Sequence, residues 1–125
     1  NDTRIKFVGT IYDDALLKSV RKNAFAYLHG HEVGGTNPSL LEALGSTKLN
    51  LLLNVGFNQE VGLDSSIYWG KEKGNLKNLI EHVETFDQEY INTLGKAAKE
   101  RIKTAYSWDK IVSDYENLFL RKKDL

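Results

Sequence analysis

At 125 residues the chain is one domain, long enough to bury most of its surface and hold a real core. Seventeen basic residues balance seventeen acidic ones with no dominant basic block, so the electrostatic footprint of a nucleic-acid binder is missing. Cysteine is absent, which excludes disulfides, thiolate zinc sites and cysteine nucleophiles together and is compatible with a reducing compartment.

The longest apolar run, Leu49 to Leu53, is far shorter than the ~20 residues of a spanning helix, and no signal peptide is visible. Methionine is also absent, position 1 included, so a chain opening Asn1-Asp2 reads as an excised piece or a processed product. Apolar, partly alternating residues predict a strand over Ile5 to Ile11, with Gly9 near its end. Asp13 or Asp14 then caps a helix that gathers Leu16, Leu17 and Val20 on one face and sends Lys18, Arg21 and Lys22 largely outward. A second strand is predicted over Ala24 to Leu28. Two strands joined by a helix in so short a span imply a parallel βαβ unit, whose ligands collect at the carboxyl ends of the strands. Residues 10–13 and 29–36 both fall at that edge.

Residues 27–44, YLHGHEVGGTNPSLLEAL, run from a strand end through a polar loop with Gly30, Gly34 and Gly35 into a helix start. Asn37 is a good N-cap, and Pro38 suits the first helical position because the N–H it lacks would be unpaired there anyway. The free amides of that turn, those of Gly34, Gly35 and Thr36, and the positive end of the helix dipole together favour an anion, phosphate above all. Glycine also lets the backbone approach a ligand closely. Glu42, about one turn further on, is repelled by phosphate itself but can accept hydrogen bonds from sugar hydroxyls beyond it. A glycine-rich loop before a capped helix serves equally well to turn a corner, so spacing alone leaves both readings open. His29 and His31 flank Gly30; with no cysteine and no partner cluster a metal is not indicated, and His29 reads best as packed beneath the loop.

The helix from Pro38 to about Leu44 presents Leu40, Leu41 and Leu44 to the sheet and stops at Gly45. LNLLLNV follows as a strand buried on both faces. Its exit, residues 54–60, is a second glycine-containing loop, with Gly56, Phe57 and Asn58 as pocket lining or Asn58 simply as a cap. Residues 66–69, SIYW, predict an edge strand. From Asn75 onward helical spacing takes over: Leu76, Leu79, Ile80 and Val83, then Tyr90, Ile91 and Leu94, then Ile111, Tyr115, Leu118 and Phe119. Ser107 caps the last helix and Trp108 opens it. Arg121 to Lys123 read as a solvated basic end.

The run HGHEVGGTNPSLLEAL resembles the donor-binding loop of retaining glycosyltransferases of family 4, in the variant carried by bacterial rhamnosyltransferases. RIKFVGTIY with DDALLKSVRKNAFAYL is similar to that family's strand, helix, strand lead-in, LNLLLNVGFNQEVG to its next strand and loop, and LGKAAKERIKTAYSWDKIVSDYENLF to its closing helices. The likeness covers nearly the whole chain in order. It implies an α/β fold in three layers, a Rossmann-like parallel sheet of three or four strands with flanking helices. Residues 1–125 would then be one partial domain, most of the C-terminal half of a two-domain GT-B enzyme whose first strand and helix units are missing.

The same resemblance implies transfer of a sugar with retention and without a metal, rhamnose from dTDP-rhamnose, to a cell-surface polysaccharide precursor. It puts Gly34, Gly35, Thr36, Asn37, Pro38, Ser39 and Glu42 on the donor, Ile11, Tyr12 and Asp13 near the base, and His31 near the transferred sugar. Glu32 and Glu42 stand farther apart than the family's glutamate pair, so Glu42 alone carries over directly. His31 and Glu32 are the catalytic candidates, and Glu32 is open between a sugar contact and a solvated loop carboxylate. The family's Arg and Lys that neutralise the diphosphate belong to the loop after an earlier strand that is not matched here, and the acceptor-binding N-terminal half is not matched either. By itself the chain is therefore expected to bind nucleotide weakly and to transfer no sugar, while the full-length enzyme would work in the cytoplasm or peripherally at the inner face of the membrane. The rival reading is a non-catalytic α/β module that binds a nucleotide or a protein partner. A receiver-like version of it fits poorly, because Asp13 and Asp14 begin a helix and the central strand ends in Asn54.

Overall fold

The computed structural model of the chain describes residues 2–32, 38–106 and 108–123, the side chains of 108–111 and 121–123 excepted. Asp13 caps α1 (Asp14–Asn23), its carboxylate accepting from the Leu16 amide. There follow β1 (Tyr27–His29), α2 (Pro38–Ser46), β2 (Asn50–Leu53), α3 (Gly56–Gly62), a 3₁₀ turn (Leu63–Ser65), β3 (Ile67–Trp69), α4 (Asn75–Val83), α5 (Gln88–Ala105) and α6 (Trp108–Lys123).

The three strands pair in parallel in the order β1, β2, β3, with Leu28 opposite Leu51 and Leu52 opposite Tyr68. β2 is central because its residues have apolar partners on both sides. Leu52 packs with Leu40, Leu44, Val61 and Ala98, whereas Leu51, with Leu49 just before the strand, packs with Val83, Ile91 and Leu94 on the opposite face. Helices α2 and α3 therefore cover one face and α4 the other, while α5 contributes Ile91 and Leu94 to one cluster and Ala98 to the other. Each fully buried leucine contributes roughly 1.5–3 kcal/mol relative to exposure. This is a mixed α/β chain around a small parallel sheet, compatible with a Rossmann-like unit.

Two devices seat α5. Gly95 passes so close to the turn before β2 that a Cβ there would lie 2.9 Å from the Lys48 Cα. Arg101 donates from Nε to the Val61 carbonyl at 3.2 Å and from Nη2 to the Glu60 carbonyl at 2.8 Å, satisfying carbonyls that the end of α3 leaves open.

Several sequence expectations are corrected. Residues 5–11 form no strand: Gly9 takes φ +72°, and Ile5, Val8 and Phe7 are solvent-exposed, Phe7 at 97%. Alternation makes a segment able to pair but supplies no partner, and α1, which would fasten it to the sheet, buries none of its residues. The βαβ units are instead β1-α2-β2 and β2-α3-β3. The strand expected over 24–28 lies at Tyr27–His29, because Tyr27 is the first residue to bond β2, its amide donating to the Leu49 carbonyl at 2.9 Å. The exit of β2 is not an open loop but turns into α3 within two residues, and α2 runs through Gly45 to Ser46. The edge strand at 67–69 and the helices after Asn75 stand where the pattern puts them. Ser107 lies outside the described residues.

Candidate functional site

The carboxyl ends of β1 and β2 bring together a group of polar side chains. β1 delivers His29, which is 5% exposed because Tyr27 packs beside it, ring centroids 5.8 Å apart. The Tyr27 hydroxyl lies 3.1 Å from His29 Nδ1. With that hydroxyl donating, the neutral imidazole carries its proton on Nε2, a buried N–H with no partner among the described residues. Burial, and secondarily the neighbouring His31, holds His29 below its ordinary pKa. The His31 ring, itself exposed, stands 6.1 Å from that of His29.

Asn58, in the first turn of α3 and wholly buried, ties the two strand ends together. Its Nδ2 donates to the Leu53 carbonyl at 3.0 Å and to the His31 carbonyl at 3.1 Å, and its Oδ1 has no partner among the described residues. The loop after β1 is also fastened to β3. Gly30 lies over Trp69, where an added Cβ would meet the ring at 3.6 Å, and Glu32 forms an ion pair with Lys71. Lys71 thus stands as a cation beside the predicted sugar-end residues. Among the described residues no group of three or more His, Asp or Glu side chains has the arrangement to hold a metal.

Pro38 and Ser39 open α2, both exposed. Glu42 lies on the side of α2 that faces α1, ion-paired with Arg21, and both line a cleft of ≈ 440 Å³ with Asp14, Leu17, Lys18, Gly45 and Ser46. Arg21 is held in place by its own helix end, since its carbonyl accepts from Thr47 Oγ1 at 2.8 Å. Burial raises the pKa of Tyr27, while the charge of Arg21 lowers it and that of Glu42 raises it.

Of the predicted site residues, Gly34, Gly35, Thr36 and Asn37 lie outside the described residues. His31 and Glu32 sit with His29 and Asn58 at the carboxyl edge, as the order of the chain implies. Of the residues expected near the base, Tyr12 is 89% exposed and Asp13 is engaged as the cap of α1. Sequence reading missed Lys71, Arg21 and the bridging role of Asn58. Only Asn58 left a trace, a polar residue just after an apolar strand, and that pattern equally describes a cap. Comparison of the chain with protein families, with curated proteins and with solved structures yields no match.

Proposed function

We propose that this chain holds the nucleotide-sugar donor of a retaining glycosyltransferase, with the donor lying along the carboxyl edge of the sheet. The observation that carries the reading is the convergence there of His29, His31, Glu32 and Asn58, two of them with buried atoms that no described residue pairs. Parallel sheets take ligands at that edge. The first turn of α2, with the amides of residues 34–37, would receive the diphosphate, and Glu42 would leave Arg21 to accept hydrogen bonds from the pentose. Fixed dipoles aimed at the departing diphosphate would supply the main catalytic stabilisation, without a metal. His31 and Glu32 would meet the transferred sugar, with dTDP-rhamnose as the donor and a cell-surface polysaccharide precursor as the acceptor. Such an enzyme would include an acceptor-binding domain and act in the cytoplasm, peripherally at the membrane; no helix among the described residues is long and apolar enough to cross one.

The pairing of Glu42 with Arg21 favours a second reading, in which α1 and α2 are braced as part of a non-catalytic binding or scaffold module. Thermal melting with dTDP, UDP and GDP separates the two. A donor site gives a rise in Tm with one of them, corresponding to about 2.7 kcal/mol at a hundredfold excess over Kd. Glu42→Gln should then weaken that nucleotide roughly tenfold or more, the worth of a hydrogen bond to a charged group. No shift with any nucleotide would leave the scaffold reading standing.

A further inference from the structure

The turn that leads from α2 into β2 meets α5 at the end of the sheet away from the histidines. Lys48 precedes β2 and so stands at the amino end of that strand, whereas His29 and Asn58 gather at the carboxyl edge. Gly95 draws the two segments together, because a side chain there would collide with the Lys48 backbone. Between them lies an open bowl of ≈ 260 Å³ lined by Lys48, Asn92, Gly95, Lys96 and Lys99. Asn92 is oriented by its neighbours, its Oδ1 accepting from Lys48 Nζ at 2.9 Å and from Gln88 Nε2 at 2.9 Å. An ammonium only donates, so the oxygen has to face Lys48, and the Nδ2 donors are turned to the other side of the amide. No described residue accepts from them. The lysines also lack an anion: no ion pair between described residues engages Lys48, Lys96 or Lys99, although Glu100 stands one turn beyond Lys96. Three like charges around one hollow repel one another, and a bound anion relieves that repulsion.

We propose that this bowl binds a small free oxyanion carrying two or more negative charges, a phosphate monoester or a diphosphate. The three ammonium groups are its counter-charges and Asn92 Nδ2 is a neutral donor beside them. Lys48 keeps two N–H donors after its bond to Asn92, and Lys96 and Lys99 keep all of theirs. The hollow is somewhat smaller than the roughly 300–1,000 Å³ of ordinary ligand pockets, which suits a molecule of that size. A lipid surface fits less well, because patches that read anionic membranes gather about 4–8 basic residues, and three line this hollow. The inference does not rest on the nucleotide reading, whose site is at the other edge of the sheet.

Amide chemical shifts of the whole chain, titrated with pyrophosphate at constant ionic strength, test it in the wild type, Asn92→Asp, Lys96→Gln with Lys99→Gln, and Lys77→Gln in α4. Asn92→Asp keeps an acceptor for Lys48 and Gln88 but replaces the donors with a charge, and Lys77→Gln matches its change in net charge away from the bowl. All four side chains are exposed, so the fold is retained. The expected result is a set of shifts at Lys48, Asn92, Lys96 and Lys99 that saturates below about 1 mM. Affinity should fall roughly tenfold or more in Asn92→Asp and in the double lysine variant, and less than about twofold in Lys77→Gln. Shifts that do not saturate, that collect instead at the start of α2, or that weaken equally in Lys77→Gln overturn the site. Retention on phosphatidylcholine vesicles containing phosphatidate, with no response to pyrophosphate, also overturns it, because the lysines would then serve a lipid surface.

Discussion

At the scale of single residues, His29 couples the site to stability. Its imidazole is packed against Tyr27, its buried Nε2 has no partner among the described residues, and burial holds it below the ordinary 6.5. Folding disfavours the protonated ring, so between the ordinary value and the lower folded one the unfolded chain binds more protons. Stability from this residue is complete above about pH 6.5 and declines on acidification through that window. Denaturant midpoints from about pH 7.5 to about pH 5.5 should fall in the wild type and fall less steeply in His29→Asn. Parallel slopes would remove His29 from the account. Tyr68 is no such reporter, because burial, helped by Asp64, pushes its phenol up to about 12.

At the scale of elements, two glycines in helices should respond to alanine with opposite signs. Gly45 in α2 has nothing within 4 Å of where a Cβ would sit, so Gly45→Ala should stabilise by up to about 1 kcal/mol through helix propensity alone. Gly95 in α5 would drive its Cβ against the Lys48 backbone at 2.9 Å, and overpacking of that kind costs about 1–3 kcal/mol, more than propensity returns. A lower urea midpoint for Gly95→Ala beside a higher one for Gly45→Ala is the expected pair. A stabilised Gly95→Ala chain would mean that α5 can shift away from the turn before β2 without loss.

At the scale of the molecule, stability is concentrated around β2 and thins toward the ends. β2 is buried on both faces, whereas Val112, Tyr115, Leu118, Phe119 and Leu120 of α6 are all at least 49% exposed. These five exposed side chains of a 16-residue helix lend it little of the packing from which most helical stability in proteins comes. Its amides should therefore exchange far faster than those of β2 and of the buried face of α5, at rates set by local fraying. Protection in α6 equal to that of β2 would show that the helix belongs to the same cooperative unit.

How far the sequence could be read follows from the range of each interaction. Helices after Asn75, the cap at Asp13, the start of α2 at Pro38 and the doubly buried strand at 50–53 were legible, because capping and periodic burial are decided by residues within a turn or two of one another. Residues 5–11 had the same local signature as a strand and are not one, since pairing needs an edge from elsewhere in the chain. Likewise the composition of the loop after β1 marked a polar carboxyl edge, but not that Asn58 would bridge it, that Lys71 would meet Glu32, or that Glu42 would turn to Arg21. Those partners lie tens of residues apart in sequence. Local chemistry therefore settled the capped and periodic helices and the doubly buried strand, and tertiary packing, which chooses among equally capable partners by geometry, decided whether residues 5–11 pair and what each charged side chain faces.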